Sequence, residues 1–135
     1  MDFQEITLKR GPCFGPCPVY QVTVYSDGSV QWVGDSFVKE EGPRDWTIEK
    51  GQVDALRKAL RRAKFKDFLD RYDNYNITDC ASATIIVKFD DEEVKQVYHY
   101  FGYDTAPPKL NWLEKKIDEI AGTEPYVGSS PWRDA

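Results

Sequence analysis

Ile6 and Leu8 alternate with Glu5, Thr7 and Lys9, a period of two that predicts a strand near residues 3–10. A proline-rich loop follows. From Val19 to Tyr25 the alternation returns, with Tyr20, Val22 and Val24 on one face and Gln21 and Thr23 on the other. Asp27-Gly28 then marks a tight hairpin, because such turns require a positive φ that glycine accepts. Val30, Trp32 and Gly34 continue on the return strand, and the polar stretch 35–46, with Gly42-Pro43, reads as a loop. Near Glu49 the period changes. Val53, Leu56, Leu60 and Ala63 recur at three- and four-residue spacing, the stripe of an amphipathic helix. Phe65, Phe68 and Leu69 are expected to close the core beyond that helix, and 72–82 reads as irregular.

The second half repeats the theme. Thr84 to Phe89 is β-branched and apolar, Asp90 to Glu93 is a charged turn, and Val94 to Phe101 is the returning strand. Pro107-Pro108 opens a second helix, where a first-turn proline removes an N–H that has no helical partner anyway. Its stripe is Leu110, Leu113, Ile117 and Ile120, and Gly122 stands at the C-cap. The element order β-ββ-α-ββ-α predicts an α+β fold, an antiparallel sheet of about five strands with two helices packed on one face. The expected boundaries are one domain over 1–122 and a tail over 123–135, docked through Tyr126, Val127 and Trp132.

Composition narrows the function classes. A chain of 135 residues can bury one sizeable core without disulfide or metal staples. The net charge of −5 argues against general nucleic-acid binding and against anionic membrane surfaces. No apolar run approaches the roughly 20 residues of a membrane helix. The N-terminal residues carry no basic stretch leading into an apolar one, so the expected location is the cytoplasm. Three cysteines, an odd count, do not describe a disulfide scaffold.

The most distinctive segment is Gly11-Pro12-Cys13-Phe14-Gly15-Pro16-Cys17-Pro18. Three prolines fix φ and Gly15 can turn the chain, so the loop is rigid. Fully extended, the Cys13 and Cys17 Cα atoms would lie roughly 13–14 Å apart, so Phe14-Gly15-Pro16 must turn before a disulfide could span its usual distance of about 5.5 Å. Such a bond would contribute only about 2 kcal/mol through loop entropy. Three readings stay open. The leading one is a shaped connector whose cysteines pack as small apolar residues. The second is a labile redox disulfide, although C-x3-C is not the C-x-x-C of thioredoxin-like proteins. The third is a zinc site that would recruit Cys80 and His99 to Cys13 and Cys17.

The run Cys13-Phe14-Gly15-Pro16-Cys17-Pro18-Val19-Tyr20, followed by Asp27-Gly28, resembles the CFGxCPxY signature of a bacterial family of domains of unknown function. The likeness continues through Ala63-Lys64-Phe65, Tyr72, Thr78-Asp79 and Leu110, Leu113 and Ile117-Asp118. It implies kinship over most of the chain and brings no activity with it.

The candidate binding residues are therefore Cys13, Phe14, Gly15, Cys17, Tyr20, Tyr72, Asp79 and His99. His99 is the single histidine and shares a strand face with Val97 and Phe101. Arg57, Lys58, Arg61 and Arg62 form a basic patch on the first helix, suited to an acidic partner, though a solvated helix face is the commoner meaning of such a run. Trp112 lies off its helix's apolar stripe and is a candidate contact residue. No Gly-rich phosphate loop and no nucleophile elbow occur. The expectation is a non-catalytic binding or interaction module, without cofactor, that meets a protein partner; the alternative is a thiol redox or zinc-binding site using Cys13 and Cys17.

Overall fold

A computed structural model describes residues 2–73, 81–101 and 106–128. Among the described residues seven strands form one sheet: β1 (Phe3–Gly11), β2 (Val19–Tyr25), β3 (Ser29–Ser36), β4 (Gly42–Thr47), β5 (Arg71–Tyr72), β6 (Ser82–Phe89) and β7 (Val94–Tyr100). Their spatial order is β4-β3-β2-β1-β6-β7-β5. The helices are α1 (Lys50–Ala63), α2 (Pro108–Ala121) and the short α3 (Glu124–Val127).

The register follows from the alternation. In β1, Ile6 and Leu8 lie opposite Val24 and Val22 of β2 and opposite Val87 and Ile85 of β6. This places a continuous apolar surface across the centre of the sheet. Onto it pack Val53, Leu56, Leu60 and Ala63 of α1 and Leu110, Leu113, Ile117 and Ala121 of α2, all buried. The β2–β3 hairpin turns at Gly28, whose φ is +93°, and a side chain there would run into the Ile48 carbonyl. The Glu49 N–H, just before α1, donates to the Gln52 side chain at 2.8 Å. Gly122 caps α2 in the left-handed conformation, and the Trp46 indole N–H donates to the carbonyl of Ala121 at 2.8 Å, satisfying an acceptor that the helix end leaves open.

Beyond Gly122, α3 lies against the β3–β4 connection. The Lys39 and Glu40 N–H groups each donate at 3.0 Å, to the carbonyls of Val127 and Tyr126. Tyr126 stacks on Trp46 with ring centroids 4.1 Å apart. Trp132 lies outside the described residues.

Four expectations need correction. The sheet has seven strands, not about five, and it is mixed: β5 pairs in parallel with β7, Arg71 beside Tyr98 and Tyr72 beside His99. Two residues are too few to show a period. The stretch expected to be a loop over 35–46 contains most of β4, which pairs with β3 from Gly42 opposite Gly34 to Thr47 opposite Ser29. As an edge strand it tolerates Pro43 and displays charge, so its sequence carries no apolar face to read. Of the stretch 72–82, Tyr72 belongs to β5 and Ser82 to β6, while 74–80 lie outside the described residues. Leu69 does not close the core: it is 64% exposed, while Phe65 and Phe68 on either side of the intervening turn are buried.

Candidate functional site

Polar side chains gather at one end of the sheet, where β1 finishes, β2 and β6 begin, β7 finishes, and α2 crosses. Inward alternation along β1 ends on Arg10, two residues past Leu8. The same rule in β2 places Tyr20 on the inner face ahead of Val22 and Val24. Both reach Asp118 on α2. The Arg10 guanidinium contacts the Asp118 Oδ2 at 2.9 Å and 3.3 Å, through Nη2 and Nε. The Tyr20 hydroxyl donates to Oδ1 at 2.6 Å, and the Thr123 hydroxyl donates to the same oxygen at 2.7 Å. One carboxylate thus ties together two strands, a helix and the residue after its cap.

Burial works against the charge of Arg10, but Asp118, Tyr20 and Glu114 together outweigh it and hold the guanidinium above its ordinary range. For Tyr20, burial first and the negative charge of Asp118 second push the phenol well above its ordinary value. Both groups therefore keep their protons through the whole neutral range.

Beside this network lies a second buried pair. His99 on β7 is 3% exposed and Glu114 on α2 is 2% exposed, and the imidazole Nδ1 lies 2.7 Å from Glu114 Oε2. The bond spans β7 and α2 and fixes the orientation of the ring. Phe101 meets the imidazole edge-on, centroids 4.6 Å apart. Arg10, Tyr20, His99, Glu114 and Asp118 all line one cleft of about 1020 Å³, together with Cys17, Pro18, Ser82 and Phe101.

The cysteine loop meets the cleft at Gly11, Cys17 and Pro18. Cys13 and Cys17 are joined in a disulfide with Cα atoms 5.7 Å apart. The turn that the sequence demands is made by a bridge between Cys13 and Gly15, with Gly15 at φ +150°. This corrects the reading of the two cysteines as free packing residues, although the Cys17 end of the bond is itself buried. Phe14, at the tip, is 84% exposed.

The predicted site residues thus divide. Cys17, Tyr20 and His99 come together in the cleft, whereas Cys13, Phe14 and Gly15 lie on the loop outside its lining. Tyr72 does not join them among the cleft-lining residues. It is buried against Phe68, and its hydroxyl accepts the Leu69 N–H at 2.9 Å, a role in holding β5 in place. Asp79 and Cys80 lie outside the described residues, so the Cys13, Cys17, Cys80 and His99 zinc set cannot be traced. Among the described residues no cluster of three or more His, Cys, Asp and Glu side chains could hold a metal.

The basic patch is partly spent within the fold. Arg57 bonds Asp2 at 2.6 Å and also Asp54, and lies over the Phe3 ring. Arg62 lies over Trp112, 5.5 Å from the ring centroid, so that tryptophan holds a neighbouring helix's guanidinium. Lys58 and Arg61 are exposed.

Arg10, Glu114 and Asp118 were missing from the sequence-based candidates. The signal for Glu114 was present: it sits at position four after Leu110 and three before Ile117, a charge on the buried stripe of α2. An acid in that position needs a buried partner, and His99 is the one that meets it.

A family model for a domain of unknown function, DUF6438, matches residues 4–121. The chain belongs to this family. The DUF6438 match spans the cysteine loop and the whole set of Arg10, Tyr20, His99, Glu114 and Asp118, and ends one residue before the α2 cap. No curated protein matches the chain.

Proposed function

We propose that this DUF6438 domain is a non-catalytic binding module that docks a protein partner through the disulfide-braced loop. The observation that carries the reading is Phe14, a large apolar side chain left 84% exposed on a loop closed by the Cys13–Cys17 disulfide. Prolines at 12, 16 and 18 stiffen the same loop. Exposing one aromatic ring there serves no packing purpose. Holding it rigidly removes the ordering cost that a mobile loop would meet on binding. Aromatic anchors of this kind dominate interface energetics when they enter a desolvated pocket.

The test is a photoreactive phenylalanine analogue at position 14, used to trap the partner in its native cell, followed by titration of the purified pair. Phe14→Ala is expected to weaken binding by about 2 kcal/mol, a roughly thirtyfold loss. Equal affinity of wild type and variant for the trapped partner would overturn the reading. So would a substrate turnover that Cys13→Ala abolishes.

A second reading, thiol–disulfide exchange, is favoured by the bond itself. It expects Cys13–Cys17 to equilibrate with glutathione within the range of cytosolic or secretory poise, and not to resist reduction there. The zinc alternative needs both thiolates free, so it applies only to the reduced chain.

A further inference from the structure

We propose that the cleft beside the loop binds an uncharged polyhydroxylated ligand, a sugar or a cyclic polyol. This stands on the cleft alone and does not depend on Phe14. Three of the lining residues, Arg10, His99 and Glu114, hold hydrogen-bonding groups that the fold leaves open. Arg10 has five N–H groups. It makes two contacts with Asp118, and the neighbouring Tyr20 oxygen can take one more, so at least two N–H groups remain. His99 and Glu114 meet through Nδ1 and Oε2. The other atom of each, Nε2 and Oε1, has no hydrogen-bond partner among the described residues. Among those residues no unpartnered side-chain nitrogen or oxygen is sealed from solvent. Both atoms therefore open onto the cleft, although the residues that carry them are almost wholly buried. Convergent polar atoms at the foot of a concave site are what orients a bound ligand.

The pattern of donors and acceptors selects the occupant. Arg10 only donates. Nε2 and Oε1 belong to one coupled pair, and each donates or accepts according to where the pair holds its protons. A hydroxyl does both through a single oxygen, so it meets either atom in every protonation state of the pair. A ligand with several hydroxyls on adjacent carbons answers all three residues at once. An alkyl ligand would instead cover the open N–H groups of Arg10 and leave them unsatisfied. Ions find little to select them. Arg10 and Asp118 cancel, Lys116 draws on Glu119 at 3.5 Å, and Glu124 is engaged within the fold. Lys115 is exposed, where solvent screens its charge. Phe101, packed edge-on against the imidazole and partly exposed, adds an aromatic wall. The C–H face of a sugar ring is apolar and lies against such a wall while its hydroxyls project from the ring edge.

The hydroxyls can come from a free sugar or polyol, or from a glycan chain. Because His99 is the single histidine, its imidazole signals can be read without ambiguity. The intact protein would be titrated into the millimolar range with the methyl glycosides of glucose, galactose and mannose, with N-acetylglucosamine and with myo-inositol. The controls are n-butanol, n-butylammonium and butyrate. A saturable shift of the His99 ring signals is expected with at least one polyhydroxylated probe and with none of the controls. Cellobiose, lactose and chitobiose separate the sources. Tighter binding of a disaccharide than of its monomer would assign a glycan chain, and equal or weaker binding a free sugar. Phe101→Ala, at an exposed position, is expected to weaken binding about fivefold without loss of fold. The proposal fails if no polyhydroxylated probe shifts the ring signals, if any control shifts them as strongly, or if Phe101→Ala leaves the affinity of the bound probe unchanged.

Discussion

Asp118 accepts hydrogen bonds from Arg10, Tyr20 and Thr123, and the behaviour of Tyr20 follows from that. In the folded chain burial and the adjacent carboxylate raise the phenol above its ordinary value of 10.0. Above about pH 10 the unfolded chain releases this proton while the folded chain keeps it. The unfolded state then binds fewer protons, so stability falls as pH rises. Tyr20→Phe is expected to cost about 2 kcal/mol at pH 8, the worth of a hydrogen bond to a charged group. That deficit should narrow between pH 10 and 11.5 in urea melts of the two proteins, and a gap constant across that range would contradict the assignment. At the neighbouring pair, Glu114→Ala leaves a buried imidazole nitrogen without its partner. It is expected to destabilise by about 2 kcal/mol, and a double-mutant cycle with His99→Ala should return a coupling of about 1 kcal/mol or more. Additive effects would mean that the 2.7 Å contact is incidental.

Which elements were legible depended on whether burial left a mark on the sequence. The strands carrying Ile6, Val22, Val30, Ile85 and Val97, and both long helices, were readable because each hides one face and shows the other. β4 and β5 left no such mark: one is an edge strand with Trp46 as its single large apolar residue, the other is two residues long. The cysteine loop was legible as rigid from its prolines, but the spacing alone did not decide whether its cysteines bonded. Half of the cleft was visible through Tyr20 and His99. On α2 the signal was uneven: Glu114 stood out as a charge on the apolar stripe, while Asp118 looks like an ordinary surface acid until the helix is docked. For the loop the expected consequence is small and local. Closing so few residues is worth about 2 kcal/mol in chain entropy, so a phosphine reductant should lower stability by about that amount and leave the far-ultraviolet dichroism of the sheet unchanged. Loss of the sheet signal on reduction would show that the loop nucleates β1 and β2, and does not merely join them.

At the scale of the whole molecule, the disulfide and the expected cytoplasmic location pull in opposite directions. None of the described helices is long and apolar enough to cross a membrane. That observation does not choose a compartment. A bond between Cys13 and Cys17 does bear on the choice, because glutathione and thioredoxin keep most cytosolic thiols reduced. If the bond braces Phe14 for a partner, it has to survive where the protein works. It is then expected to be formed in the living cell, in an oxidising compartment. Alkylation of thiols before lysis, followed by intact mass with and without prior reduction, reads this directly: reduction should expose two additional alkylation sites. The same number of sites before and after reduction would mean that the loop works open. The braced presentation of Phe14 would then be lost, and Cys13 and Cys17 would be thiols beside a polar cleft. The redox reading would gain accordingly, since a pair held reduced in the cell yet bonded in the folded chain is poised to exchange.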